Sequence, residues 1–224
     1  MQTTQILIDT DMPTAKATTK TQLNKSPTEK IKVACIGDSI TELSGYPELA
    51  EKALGSRYEV GNFGACGTTV SLNSEYPYKY SEAFDQAKRF QPNIAVIMLG
   101  TNDANSASDP SQVTLKTDLL TLIEDLKASA SEALVYLVKP PPIFSEWGGL
   151  SGEVLIKEVI PAIEQTAEEL HFCVIDLFSA LTDRSYFFDG VHPNGEGAKI
   201  MADVIYQAIT EKDTQGSGSK TLFA

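Results

Sequence analysis

The sequence predicts an α/β fold: a five-stranded parallel sheet with helices on both faces. Three observations carry that reading. Short apolar runs recur along the chain as IKVACIG (31–37), EVGNFG (59–64), IAVIMLG (94–100), ALVYLV (133–138) and FCVIDL (172–177). Longer stretches with helical period separate them, the alternation that parallel sheets require. Polar, glycine-marked turns follow the first three runs, and ligands on such sheets bind outside the carboxyl ends of the strands.

Taken in order, the first run ends in Gly37, Asp38 and Ser39. That turn puts a carboxylate and a hydroxyl at the sheet edge, either as an ordinary turn or as a held nucleophile. A short helix is expected over 47–55, then the second run and the glycine-rich GNFGACGTT. A helix over 79–90 leads to the third run and GTND (100–103). Asp109, Pro110 and Ser111 read as a helix cap with a proline in the first turn. Leu115, Leu119, Leu122, Ile123 and Leu126 then line one helical face. The fourth run leads into KPPPIFSEWG. The next helix carries Leu155, Val159, Ile163 and Leu170, and Pro161 inside it predicts a kink or a broken start. After the fifth run, FFDGVHPNGEG precedes a last helix that starts at Pro193 and carries Met201, Val204, Ile205 and Ala208 on one side.

A serine nucleophile needs a base, usually histidine, and the chain has two. His171 lies at a helix–strand junction and reads as a surface residue. His192 follows Asp189 by three residues, so a carboxylate could fix the imidazole tautomer and leave the other nitrogen for the serine proton. By itself that segment serves equally well as a capping turn with a solvated histidine. An oxyanion needs donors: the Asn102 amide and the Gly67 backbone N–H qualify, though each alone is an ordinary turn residue. Ser39, Gly67, Asn102, Asp189 and His192 each follow a successive element, and the combination favours chemistry.

The bulk numbers bound the rest. A chain of 224 residues with 42% hydrophobic content fills one full-size domain. A net charge of −12 repels phosphate backbones and anionic lipid, so nucleic acid and membrane surfaces are poor partners. No apolar run approaches the ~20 residues of a membrane-spanning helix. Three cysteines without a CxxC pair argue against a disulfide framework or a zinc site. Cys35 and Cys173 lie in apolar runs and are expected to pack as small hydrophobes, while Cys66 sits in the glycine-rich turn. QILI near the start is too short for a signal-peptide core. The expected compartment is the cytoplasm, or outside the cell with a leader absent from this chain. The arms over 1–30 and 211–224 read as extended, with apolar residues that could dock on the body or on a second copy.

The blocks GDSIT, NFGACG, GTND and DGVHP resemble those of the SGNH hydrolases, the GDSL esterase/lipase superfamily, from about Ile31 to Ile209. The resemblance implies a flavodoxin-like three-layer α/β/α sandwich and a hydrolase domain over 31–210. It implies Ser39 as nucleophile, Asp189 and His192 as its triad partners, and the Ser39 N–H, Gly67 and Asn102 as oxyanion hole. It implies no metal or organic cofactor. Asp38, beside the serine, is read as stabilising the turn. Position 41 is Thr, so the G-x-S-x-G elbow of α/β-hydrolases is absent. Cys66 departs from the small residue usual in the second block. Within the superfamily the chain looks most similar to carbohydrate acetylesterases of the sialate O-acetylesterase-like group. The expected function is removal of short acyl groups, acetyl first, from a carbohydrate or other polar ester. Trp147 either stacks on a sugar or plugs its loop, and Tyr46, Tyr76 and Tyr78 are further rim candidates. The alternatives are a lysophospholipase or thioesterase, which would need a long apolar pocket, and a glycan-binding module without catalysis. An FMN protein would need a Ser/Thr-rich phosphate loop where GDSIT stands.

Overall fold

Residues 29–105, 111–145 and 147–215 are described by a computed structural model. In chain order the elements are β1 (Ile31–Gly37), α1 (Ser39–Leu43), α2 (Tyr46–Leu54), β2 (Tyr58–Gly64), α3 (Glu82–Phe90), β3 (Ile94–Met98) and α4 (Gln112–Ser129). There follow β4 (Leu134–Lys139), α5 (Gly152–Val154), α6 (Ile160–Leu170), β5 (Cys173–Asp176), α7 (Leu177–Ala180) and α8 (Gly195–Gln215). The strands form one sheet in the order β2-β1-β3-β4-β5, and every pairing is parallel. That order reverses direction at β1, which is the topological switch point of this class of sheet.

Alternation along β1 divides the core in two. Ala34 and Ile36 face a cluster with Phe84 of α3, Leu119 and Leu122 of α4 and Ile163 of α6. Val33 and Cys35 face the other side, with Tyr46 of α2 and Met201 and Ile205 of α8. The sheet is therefore sandwiched between helical layers, as expected.

Local chemistry moved several boundaries. Ser111 caps α4 by accepting from the Thr114 N–H, so the helix starts at Gln112; Asp109 and Pro110 lie outside the described residues. Pro161 sits in the first turn of α6, directly after a π-helical turn over Leu155–Val159. This is the broken start that a proline without an N–H imposes. The last helix begins at Gly195, because the Asn194 side chain caps it through the Glu196 and Gly197 N–H groups. Cys35 is buried as expected, and burial pushes its thiol up to about 12. Cys173 is exposed instead, because β5 is the sheet's edge and its first residues lack a covering layer. Most of both terminal arms, residues 1–28 and 216–224, lies outside the described residues.

Candidate active site

The end of β1 is shaped by what must approach it. Gly37 and Gly64 close two neighbouring strands, and a Cβ on either would collide with α1: with Thr41 at Gly37, and with the Glu42 backbone at Gly64. Their bareness lets α1 start at the sheet edge. Asp38 caps it, its Oδ1 accepting from the Ile40 N–H at 3.0 Å. Ser39 is the first residue of α1.

His192 reaches Ser39 from 153 positions along the chain: its Nε2 lies 2.9 Å from Ser39 Oγ. Its Nδ1 lies 2.7 Å from Asp189 Oδ2. Asp189 Oδ1 accepts the Val191 N–H at 2.9 Å and the His192 N–H at 2.8 Å. With a carboxylate on Nδ1, the network assigns the proton there and leaves Nε2 as the acceptor toward the serine. Partial burial pushes the Asp189 carboxyl up. The His192 and Val191 N–H groups and the imidazole outweigh it and hold Asp189 down at about 2. The carboxylate therefore stays ionised wherever an imidazole titrates.

Gly67 lies in the loop after β2, with φ +75 and open space on its Cβ side. Its left-handed backbone is one that glycine adopts without strain. The Asn102 Nδ2 donates to the Thr68 carbonyl at 2.9 Å, which joins the turn after β3 to the residue following Gly67. That bond uses one of the two amide protons. Next to it, Asp103 is buried and accepts the Val70 and Ser71 N–H groups, both at 2.8 Å. Asp118 of α4 accepts the Leu72 N–H at 2.9 Å. The loop is thus held at three consecutive amides, a support that the polar turn GTND only hinted at.

Asp38 and Glu42 carry the carboxylates closest in sequence to Ser39. Asp38 is buried; desolvation pushes its carboxyl up to about 6, against the Ile40 N–H and the Thr101 hydroxyl, which favour the anion. Asp38 Oδ2 and Thr101 Oγ1 nevertheless lack a partner in hydrogen-bonding geometry. Cys66 is exposed beside Gly67, and its N–H donates to Glu42 Oε2 at 2.6 Å. Partial desolvation and then the Glu42 carboxylate push the Cys66 thiol up to about 11, so it is a thiol and not a thiolate near neutral pH.

Of the expected rim tyrosines, only Tyr76 is exposed. Tyr46 and Tyr78 are fully buried, their hydroxyls bonded to Thr41 Oγ1 and to the Phe63 carbonyl, so neither can meet a substrate. The side chain of Trp147 lies outside the described residues; its backbone opens a 3-10 turn over Trp147–Gly149. His171 caps the C-terminus of α6 at the opposite edge of the sheet. Two aromatics near the site escaped the sequence reading. Phe188 precedes Asp189 and is exposed, and Phe144 packs edge to face on Phe187. The only signal was the doubled Phe in FFDGVHP, with one ring turned in and one out. Among the described residues, no group of three or more His, Cys, Asp or Glu could hold a metal ion.

Known proteins give the same picture at family level. Residues 35–200 match the model of the GDSL-like Lipase/Acylhydrolase family. An acetylxylan esterase of Xylanibacter ruminicola is 32% identical over 208 residues, which cover 81% of this chain and 43% of that protein. A multidomain esterase of Ruminococcus flavefaciens is 30% identical over 121 residues, 52% of this chain and 15% of that protein. The chain thus spans less than half the length of these two curated relatives. Among solved structures, the native aryl esterase of M. smegmatis superposes with TM-score 0.68 at 17% identity, over 81% of this chain and 99% of that one. Est24, a carbohydrate acetylesterase from Sinorhizobium meliloti, gives TM-score 0.67 at 20% identity over the same shares. At such identities the superpositions speak for the fold alone. The family match covers most of the sheet and both arms of the Ser39–His192–Asp189 chain, and the protein belongs to the GDSL-like lipase/acylhydrolase family.

Proposed function

We propose that this chain is a serine esterase that removes short acyl groups, acetyl first, from an esterified carbohydrate. The observation that carries the reading is the unbroken chain of hydrogen bonds from Ser39 Oγ through the imidazole to Asp189. Ser39 Oγ attacks the ester carbonyl carbon, and its proton passes to His192 Nε2. The carbonyl π pair moves onto oxygen, and the Asn102 amide with the Ser39 and Gly67 N–H groups stabilises that anion. The pair returns, the carbon–alcohol bond breaks, and His192 hands its proton to the leaving alcohol. Water then attacks the acyl-serine, giving its proton to His192, which returns it to Ser39 Oγ as the acid departs. Asp189, held ionised, stabilises the imidazolium of both half-reactions.

The preference for a short acyl group rests on the connection from α1 to α2, which is only Ser44 and Gly45. It leaves no insertion from which to build a long apolar tunnel. The carbohydrate rests on the names of two similar proteins, the acetylxylan esterase and the carbohydrate acetylesterase. The test is a panel of p-nitrophenyl esters from acetyl to palmitoyl beside acetylated xylan, with wild type and Ser39→Ala. Each methylene that fits adds up to ~0.8 kcal/mol of burial and one that does not fit adds nothing. We expect kcat/KM to peak between acetyl and butyryl and to vanish in Ser39→Ala. A rate that climbs to decanoyl would favour a lipid substrate instead.

A further inference from the structure

The turn that carries Asp189 and His192 is a miniature hairpin. Phe187 and Pro193 form an antiparallel bridge. It is flanked by the Phe188 N–H on the His192 carbonyl at 2.9 Å and the Asn194 N–H on the Tyr186 carbonyl at 2.8 Å. Residues opposite each other leave such a ribbon on the same face, and successive residues leave on opposite faces. Phe187 therefore turns inward; it is 4% exposed and meets Phe144 at 5.2 Å. Phe188 takes the face that His192 takes and is 75% exposed. The turn beneath it is fixed by the Asp189 bonds already described and by the Phe144 N–H, which donates to the Gly190 carbonyl at 2.7 Å. A rigid ribbon thus holds an aromatic ring in water beside the imidazole.

The chemistry says which part of a substrate meets that ring. When the intermediate collapses, His192 Nε2 protonates the departing alcohol oxygen, so that oxygen must come within ~3 Å of Nε2. In the mechanism proposed above, the acyl oxygen goes instead to the Asn102 and Gly67 donors. A group beside His192 on its open face touches the alcohol half. We infer that Phe188 is a specificity-determining residue that stacks on the alcohol half of the ester, and that this half is an uncharged sugar ring. The inference rests on the esterase reading above. A pyranose offers an apolar C–H face to an aromatic ring. A carboxylated sugar would meet the Asp189 carboxylate and a chain of net charge −12. Arg184, on the same segment, is engaged with the ribbon itself, donating from Nη1 to the Phe187 carbonyl at 3.2 Å.

The experiment compares steady-state kinetics on acetylated xylo-oligosaccharides and on ethyl acetate, which shares the acyl group and lacks the ring. For Phe188→Ala we expect KM on the oligosaccharide to rise about five- to tenfold, the scale of one aromatic contact. Its kcat should stay within about twofold, and ethyl acetate kinetics should be unchanged. Phe188→Trp should restore the oligosaccharide KM. Equal losses on both substrates would overturn the inference, because the ring would then support the triad and not the sugar. So would no change on either, or a wild type that hydrolyses ethyl acetate and not the oligosaccharide. A wild type that hydrolyses neither ester would remove the esterase reading itself, and this inference with it.

Discussion

Asn102 and Asn105 lie three residues apart, and their amides serve different partners. Asn102 donates to Thr68 in the Gly67 loop, whereas Asn105 donates to the Gly148 carbonyl at 3.2 Å in the loop after β4. A donor aimed at a developing oxyanion matters more in the transition state than in the bound ester. Asn102→Ala should lower kcat by ~10²–10³ with little change in KM, about 2.7–4 kcal/mol of lost stabilisation. Asn105→Ala, which loses an exposed bond, should change either constant by less than about threefold. Equal losses in both variants would mean that the whole turn had been damaged. Asp189 offers a second contrast. Held at about 2, it does not titrate where imidazoles do. Asp189 protonation should therefore not contribute to the acid limb of kcat/KM. Asp189→Asn should lower the rate by about 10³–10⁴ at every pH, because the wrong tautomer removes the acceptor facing Ser39. His171→Ala, at the far edge of the sheet, should leave the rate intact. A loss there without unfolding would mean the wrong histidine has been assigned.

The loop from β2 toward α3 hangs on carboxylates at the level of elements. Asp103 and Asp118 together take the N–H groups of residues 70, 71 and 72. Asp103→Ala strands two amides that are buried or partly buried, at about 1–3 kcal/mol each. Its melting temperature should fall by several degrees, measured by calorimetry, while Asp85→Ala on the exposed face of α3 should not move it. Elements of this kind were partly legible in the sequence. All five strands fall on the expected runs, and β1, β3 and β4 were the clearest because a strand covered on both faces must be apolar throughout. The turns of Ser39, Asp189 and His192 stood out in the sequence, and the fold brings those three side chains into one hydrogen-bonded chain. Tyr46 and Tyr78 could not be placed. A tyrosine has an apolar body and a polar tip, and Thr41 and the Phe63 carbonyl satisfy the tip inside the core. Cys173 was misplaced because strand composition does not say which strand lies at the edge. The break at Pro161 was legible, but not that it takes the form of a π-helical turn, which local periodicity does not encode.

Buried and bonded carboxylates set how the stability of the whole molecule depends on pH. Asp38 and Asp103 are pushed up from 3.8 to about 6, chiefly by burial. Between roughly pH 4 and 6 the folded chain binds protons that the unfolded chain has released, so stability falls as pH rises through that window. Asp189 works the other way, its contribution being present above about pH 4 and lost as pH falls toward 2. The chain's own repulsion at net charge −12 adds to the loss near neutrality. Calorimetry should find a higher melting temperature at pH 5 than at pH 7.5. Asp38→Asn, which keeps a capping oxygen, should flatten that difference. The central claim, that Ser39 is the group acylated, is tested most directly by a fluorophosphonate probe read by peptide mass spectrometry. The account predicts one adduct, on the Ser39 peptide, formed in wild type and absent in Ser39→Ala and His192→Ala. An adduct on the Cys66 peptide instead, or esterase activity that survives in Ser39→Ala, would contradict it.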